Sequence, residues 1–197
     1  IKVADETTGE YLLTSMSYDA RHNLASSAVG YNALPLHTWN FVWNLTNNTL
    51  LSAGDPLGNQ TTFDYDPAGG GAGGTLPVAV HEYPAQGVTL STTFGYTTNG
   101  QLAAVTNANG HWGRFEYGAH GFVTSSVPQL GPIVGYAYNA LGHLTGITLP
   151  GASGDRTTTF VPDDMGRVTS VSYPLGSLSE SFAYDKMGNL TNHTDTA

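Results

Sequence analysis

Fifteen acidic residues could take part in acid–base chemistry, and several of them recur at similar positions. Asp163 and Asp164 are adjacent, while Asp19, Asp66 and Asp185 each precede a short stretch rich in turn-forming residues. A glycosidase needs two carboxylates facing each other across a sugar, about 5 to 9.5 Å apart. Acids that recur before turns instead indicate turn chemistry, because an Asp side chain there bonds its own backbone. We therefore predict structural acids and no catalytic pair.

The sequence contains no motif of a zinc site, a serine or cysteine nucleophile, or a phosphate-binding loop. The seven histidines show neither His-x-His nor His-Glu-x-x-His spacing, which argues against zinc. No Gly-x-Ser-x-Gly elbow occurs, and GGGAGG at 69–74 lacks the Lys-Ser/Thr of a phosphate loop. The absence of cysteine excludes disulfides and thiol nucleophiles. The sequence thus predicts no catalytic residue, no metal and no cofactor, and a protein that is not an enzyme.

The composition argues against nucleic acid and membranes as partners. Lys and Arg total 6 against 15 acids, giving a net charge of −9, so no basic patch for nucleic acid is expected. No apolar run approaches the roughly 18 residues of a membrane span, so no membrane insertion is expected. The sequence starts at Ile1 without a signal-peptide pattern, from which we expect a piece of a longer protein.

One pattern repeats along the whole chain: an aromatic residue, any residue, Tyr, Asp or Asn, two residues, Gly, any residue and Leu. FAYDKMGNL at 182–190 fits at every position, and successive copies are spaced by 21 to 31 residues. The first copy has His22 in or beside the glycine position, and in the second Asn47 is aligned there. The Tyr position of the eight copies is filled by Tyr18, Trp43, Tyr65, Tyr96, Tyr117, Tyr138, Pro162 and Tyr184. The glycine position of the last five copies is filled by Gly100, Gly121, Gly142, Gly166 and Gly188.

The repeated unit predicts a β-hairpin. Aromatic residues at i and i+2 point to the same face of a strand, and the Asp/Asn-x-x-Gly that follows favours a tight turn. A second alternating run after the glycine supplies the return strand. We predict about sixteen strands, two per repeat, almost no helix, and aromatic side chains in a ladder on one face. The array covers residues 1–197, with degraded repeats at 1–62, a glycine-rich insertion at 67–75 and regular repeats at 91–197.

Three stretches carry a family resemblance. YNALGHLTGIT (138–148), DDMGRVTSVSYPLG (163–176) and YDKMGNLTNHTD (184–195) resemble the YD repeats of the Rhs family. The resemblance is strong from residue 91 onward and looser before it. It implies an all-β fold of repetitive antiparallel hairpins, which form one long spiralling sheet or part of a barrel-like shell, as in Rhs proteins, Tc toxin shells and teneurins. In the bacterial relatives, the shell encloses a toxic C-terminal domain.

Two functions follow as expectations. The first is a structural scaffold of a secreted or cell-surface bacterial protein, which associates with further YD repeats of the same chain or with other copies. The second is a carbohydrate-binding or adhesive module that stacks sugars on exposed aromatic rings. The candidate residues for sugar stacking are Trp39, Trp43 and Trp112. Within the repeat, only His143 has no structural reason, because it departs from the usual Arg or Asn after the glycine.

Overall fold

The computed structural model describes residues 2–4, 11–32, 37–66, 74–174 and 178–196. These residues form strands, turns and short loops, and no helix occurs among them. The predicted all-β fold of antiparallel hairpins is therefore confirmed. No helix in the described ranges is long and apolar enough to cross a membrane. Contacts divide the chain into two compact units, residues 1–111 and 112–197.

The first unit is an antiparallel sheet in which each strand pairs with the next along the chain. The predicted glycine-rich insertion falls largely on residues 67–73, which lie outside the described ranges. The strands are β1 (Lys2–Ala4), β2 (Tyr11–Tyr18), β3 (Leu24–Tyr31), β4 (His37–Trp43), β5 (Leu50–Gly54), β6 (Gln60–Tyr65), β7 (Pro77–Ala85), β8 (Val88–Tyr96) and β9 (Leu102–Thr106).

The second unit has the same design, again with each strand antiparallel to its neighbour in sequence. Its strands are β10 (Trp112–Tyr117), β11 (Val123–Pro128), β12 (Val134–Tyr138), β13 (Leu144–Leu149), β14 (Arg156–Pro162), β15 (Val168–Ser172), β16 (Ser179–Tyr184) and β17 (Leu190–Thr196). The eight predicted hairpins are the pairs β2–β3, β4–β5, β6–β7, β8–β9, β10–β11, β12–β13, β14–β15 and β16–β17.

Every hairpin carries a register shift immediately before its Tyr position. In the first copy Ser17 lies opposite Ser26, but Tyr18 lies opposite Leu24, so the return strand has one extra residue. The last copy repeats this at Tyr184, which lies opposite Leu190. A tight turn with a left-handed residue followed by such a bulge is a common hairpin connection. The repeat thus encodes turn and bulge together.

The two faces of each sheet differ in chemistry because side chains alternate along a strand. One face pairs aromatic and β-branched residues, for example Phe63 opposite Val80 and Phe160 opposite Val171. The other face pairs small polar residues, for example Ser170 opposite Ser181. The sequence pattern therefore gives each sheet an apolar face and a hydroxyl-rich face.

Neither face is covered to the depth of an ordinary core. Among the described residues no large side chain is fully buried, and the buried apolar residues are the small or medium-sized Ala28, Ala79 and Val171. Large apolar side chains such as Met187, at 89% exposure, remain in solvent. Each unit is stabilised by its ladders and same-face neighbours more than by a central core.

Candidate functional site

The turn after each Tyr position is fixed by the acid that begins it. In the last copy the Gly188 N–H donates to the Asp185 carbonyl at 3.1 Å, which closes the turn. Oδ1 of Asp185 accepts from the N–H groups of Met187 at 2.8 Å and Asn189 at 2.9 Å. Oδ2 accepts from Nδ2 of Asn189 at 2.9 Å. The carboxylate is thus saturated by local donors, as turn chemistry predicts.

The same arrangement occurs at Asp19, Asp55 and Asp163. A hydrogen bond from the side chain four residues on is the largest cause that lowers the pKa of each of these carboxyls and of Asp185, with backbone N–H donors adding to it. At Asp163 the donor is Arg167, whose guanidinium lies 2.6 Å from Oδ2. These acids therefore hold turns.

Left-handed backbone marks the end of each turn and explains the glycines. Residue φ values are between 80° and 89° at the five predicted glycine positions: Gly100, Gly121, Gly142, Gly166 and Gly188. Where glycine is absent, His22 takes φ 65° and Asn48 takes φ 64°. The alignment of Asn47 with the glycine position is therefore wrong by one residue, because this turn is one residue longer. Asn tolerates the left-handed region better than most residues.

Aromatic residues at four Tyr positions donate a hydrogen bond to the preceding hairpin. The acceptor is the carbonyl at the start of that hairpin's return strand. The donor–acceptor pairs are Trp43 Nε1 to Leu24 at 2.9 Å, Tyr65 to Leu50 at 2.9 Å, Tyr96 to Pro77 at 2.8 Å and Tyr184 to Val168 at 2.9 Å. Burial raises the pKa of the Tyr65 and Tyr96 hydroxyls. In these four repeats the aromatic residue at the Tyr position thus joins its repeat to the one before it.

The other predicted Tyr positions make different contacts. Tyr18 is 57% exposed and its hydroxyl lies 3.4 Å from Sδ of Met16. Tyr138 stacks on Phe122 with ring centroids 5.1 Å apart. Tyr117 ends β10 opposite Val123, and Pro162 ends β14 opposite Val168, each after the bulge.

In three hairpins of the second unit the residue after the turn glycine packs on the next repeat. We call this residue the post-glycine residue. Phe122 covers Gly142 as well as Tyr138, and the ring of His143 lies on Gly166. The Arg167 guanidinium lies 4.8 Å from the centre of the Tyr184 ring and donates to the Asp185 carbonyl at 3.1 Å. The sequence alone offered no structural role for His143. In the structure, His143 makes one of a series of contacts between neighbouring turns.

In the first unit neighbouring turns are joined by amides. Nδ2 of Asn23, the residue after the left-handed His22, donates to Oδ1 of Asn48 at 2.8 Å, and Nδ2 of Asn48 donates back to Asn23 at 3.1 Å. Nδ2 of Asn47 lies 3.4 Å from the Gly74 carbonyl of the following repeat. Sequence reasoning missed these contacts because they join residues about one repeat apart.

Further turns lie on the other edge of the first sheet: the sequence predicts the one at DPLGN (55–59) as a link between repeats, but not the one at 107–111. Asp55–Asn59 and Asn107–His111 make the same closing hydrogen bonds, and Gly58 and Gly110 are left-handed. Both stretches contain Asp/Asn-x-x-Gly but lack the preceding aromatic-x-Tyr. A search for the turn motif alone finds them.

The three tryptophans differ in their surroundings. The Trp43 indole donates to a backbone carbonyl, as described above, and the Arg114 guanidinium lies 4.6 Å from the centre of the Trp112 ring. Trp39 is 37% exposed on β4. Trp39 and Trp43 lie on β4 and point to the same face of the sheet, whereas Trp112 lies on β10.

Among the described residues, no group of three or more His, Asp or Glu side chains is placed to hold a metal ion.

Comparison with known proteins identifies the repeat. Residues 138–178 match the family model described as RHS repeat, which confirms for this stretch the resemblance stated above. No curated protein matches the chain by sequence.

Solved structures share the fold. The chain is similar to the crystal structure of TcdB2-TccC3-Cdc42. The TM-score is 0.71 and the identity is 14%, over 94% of this chain and 11% of that one. It is also similar to TcdB2-TccC3-TEV, with TM-score 0.72, 14% identity and the same coverages. For the Photorhabdus luminescens Tc holotoxin pore the TM-score is 0.60 at 11% identity, over 99% of this chain and 12% of that one. The chain therefore spans about a ninth of the length of these neighbours, and what it shares with them is the fold.

Proposed function

We propose that this segment of Rhs repeats works as part of a self-associating scaffold in a secreted or cell-surface bacterial protein. Its partners are further repeats of the same polypeptide or other copies of the chain. The observation that carries this proposal is the incomplete burial of the apolar face: large side chains such as Met16 and Leu90 are 53% and 40% exposed. A sheet with an apolar face normally buries it against another layer.

The extent of exposed apolar surface supports association. Soluble monomers rarely expose contiguous apolar patches larger than a few hundred Å². Here exposed residues recur on the apolar face of both units, including Leu12 opposite Tyr31 in the first and Leu190 opposite Tyr184 in the second. Additional repeats would cover such surface in the way that stacked repeats generally share one core.

The test is the mass of the purified chain over a wide concentration range. We expect light scattering to report dimers or larger species that grow with concentration, because covering the apolar face stabilises the associated state. A monomer that stays soluble and monodisperse at high concentration would contradict the proposal. Electron microscopy of the same samples would distinguish a shell from a filament.

Location and organisation are parts of the same proposal. The structural neighbours, which are TcdB2-TccC3 and Tc holotoxin structures, support placing this chain in a toxin-associated secreted assembly. We also propose that residues 1–197 are one repeat array. Fractionation of producing cells tests the location, and detection only in the cytoplasmic fraction would contradict it.

A second candidate function is sugar binding at Trp39. This indole is partly exposed on the same face as Phe41, whereas Trp43 and Trp112 are engaged by Leu24 and Arg114. Aromatic faces stack on the apolar faces of sugars. A glycan array should show binding that Trp39→Ala removes and Trp112→Ala keeps. No bound glycan, or binding unchanged in Trp39→Ala, would exclude this function.

A further inference from the structure

Three strands of the first unit bring an acid, a histidine and a serine together on the hydroxyl-rich face. Asp64 lies on β6, His81 on β7 and Ser91 on β8. The register places His81 opposite Ser91 and opposite Thr62, so that Asp64 lies one diagonal step from His81. The three residues are 17 and 10 positions apart in sequence, and only the strand register makes them neighbours.

The three side chains form a continuous hydrogen-bonded chain. Nε2 of His81 lies 3.1 Å from Oδ2 of Asp64, and Nδ1 of His81 lies 2.7 Å from Oγ of Ser91. An ionised carboxylate only accepts hydrogen bonds, so Nε2 must carry the ring proton. In the neutral ring Nδ1 is then an acceptor, and the Ser91 hydroxyl donates to it. The contact directions are those of a base that can take the serine proton.

We propose that Ser91 is an activated nucleophile that accepts an acyl group from small, activated carboxylic esters. His81 is the general base, and Asp64 is a positioning residue that fixes the ring tautomer. A serine, a base in hydrogen-bond contact with it and a third group that orients the base are the elements of nucleophilic catalysis, recognised by geometry on unrelated folds. This inference does not depend on the proposed scaffold function.

The proposed step transfers one acyl group. Oγ of Ser91 forms a bond to the ester carbonyl carbon while its proton passes to Nδ1 of His81. The carbon–oxygen bond to the leaving group then breaks, the leaving group departs with the electron pair as a phenolate, and His81 releases the serine proton to solvent. Hydrolysis of the acyl-serine reverses the roles: water adds to the carbonyl carbon, gives a proton to His81, and Ser91 leaves with the proton that His81 returns.

The solvent exposure of the three side chains indicates which acyl donors can react. The His81 side chain is 25% exposed and that of Asp64 is 64% exposed, while Ser91 is half-buried, so the chain of groups is open to solvent at the acid end. The three residues lie on strands of a sheet face and not in a loop-lined cleft. A donor with a small acyl group and a leaving group that needs no protonation fits such a surface, and acetyl esters of acidic phenols have both properties.

The second unit provides a matched control. Nε2 of His193 lies 3.0 Å from Oε2 of Glu180, and the Tyr173 hydroxyl donates to Oε1 of the same carboxylate at 2.5 Å. Here the acid lies between the histidine and the hydroxyl, and the imidazole stacks on Phe182 with centroids 4.8 Å apart. The hydroxyl therefore contacts an acid and not a base, and the same reagent should leave Tyr173 unmodified.

The test is acetylation of the purified 197-residue chain by p-nitrophenyl acetate. Released nitrophenolate is followed by absorbance, and the acetylated residue is identified by peptide mass spectrometry. The chain has only two lysines, Lys2 and Lys186, which limits background acetylation. We expect an acetyl group on Ser91 that disappears in Ser91→Ala. In His81→Gln the rate of Ser91 acetylation should fall by about 100-fold or more, the usual contribution of a general base. His193→Gln should react like the unchanged protein.

Each outcome decides the proposal. Acetyl-Ser91 formed at equal rates in the unchanged protein and in His81→Gln would overturn it, as would the absence of acetyl-Ser91 in the unchanged protein. Acetylation found on His81 or on Tyr173 instead would also overturn it. Asp64→Asn tests the positioning role: Ser91 should still be acetylated, but more slowly, and circular dichroism of each variant checks that the sheet is retained.

Discussion

The two units use the same backbone turn but join neighbouring turns by different side chains. In the first unit the contact is an exchange of amide hydrogen bonds between Asn23 and Asn48. In the second unit it is stacking: Phe122 on Tyr138, and the guanidinium of Arg167 on Tyr184. The turn motif therefore determines the hairpin, and the post-glycine residue determines how strongly one repeat is coupled to the next.

This difference has an energetic consequence. Amide pairs at an exposed edge exchange hydrogen bonds with water, so their net contribution is small. Aromatic stacking and cation–π contacts add about 0.5–1.5 and 0.5–1 kcal/mol, and they also remove apolar area from solvent. We expect the turn edge of the second unit to be more sensitive to substitution than that of the first.

The largest expected effect comes from adding a methyl group at Gly142. A Cβ there would lie 2.8 Å from Cε2 of Phe122, and φ is 82°. Gly142→Ala should lower the free energy of unfolding by about 2–3 kcal/mol, the sum of left-handed strain and the loss of ring stacking when Phe122 moves away. Urea unfolding measures the change.

Gly188→Ala is the matched control for this substitution. Its φ is 89°, but no atom lies within 4 Å of the added Cβ. We expect only the backbone cost of about 1–2 kcal/mol. In a Phe122→Ala background, Gly142→Ala should cost no more than Gly188→Ala. Equal costs of the two glycine substitutions in the unchanged protein would show that the Phe122 contact contributes nothing.

The next prediction compares the stability cost of losing one contact between turns in each unit. Arg167→Ala removes the contact with the Tyr184 ring, the hydrogen bond to the Asp185 carbonyl and the ion pair with Asp163, and should cost about 2 kcal/mol. Asn23→Ala, at the corresponding position of the first unit, removes the donor to Asp19 and the amide exchange with Asn48 but no ring contact, and should cost less, about 1 kcal/mol. Thermal or urea unfolding of both variants gives the comparison, and a larger cost at Asn23 would contradict it.

The hairpins could be predicted from sequence because every determinant is local. The Phe182 and Tyr184 positions, the Asp185 carboxylate and the left-handed Gly188 lie within seven residues, and each has a fixed task in strand or turn. The turn at Asn44–Thr49 escaped correct alignment because an extra residue moved the left-handed position to Asn48.

Contacts between repeats could not be predicted because they depend on register. The position of His143 on Gly166 and the approach of Asp64 to His81 require knowing which residues face each other on neighbouring strands. A bulge in every hairpin shifts that register by one residue, and a shift of one residue moves a side chain to the other face. The sequence shows that histidines occur after turns, but it does not show what they touch.

Acid should weaken both units alike, because they share the acid-based turns. The folded-state pKa values of Asp19, Asp55, Asp163 and Asp185 are lowered from the ordinary value of 3.8, mainly by the side-chain donor four residues on. A lowered pKa contributes stability that is present above the unfolded value and lost as pH falls through the folded values. The urea midpoint should therefore hold near pH 5 and drop below pH 3.8.

Asparagine substitution isolates one turn in this acid response. Asp185→Asn keeps an oxygen that can accept from Met187 and Asn189 but removes the titrating group. The midpoint of this variant should decline less steeply below pH 3.8 than that of the unchanged protein, and Asp55→Asn should do the same in the first unit. An unchanged slope in both variants would show that these turns do not determine acid stability.

The last expected effect concerns the hydroxyl contact that the two units share. Tyr96→Phe and Tyr184→Phe each remove one hydrogen bond to a backbone carbonyl and should each cost about 1 kcal/mol. Because burial raises the pKa of Tyr96 above 10.0, its protonated hydroxyl contributes stability below pH 10 that is lost as pH rises through the folded value. Urea unfolding at neutral pH and above pH 10 should therefore show Tyr96→Phe losing less stability on alkalinisation than the unchanged protein. Costs that differed strongly between Tyr96 and Tyr184 at neutral pH would mean that even the Tyr position is used differently in the two units.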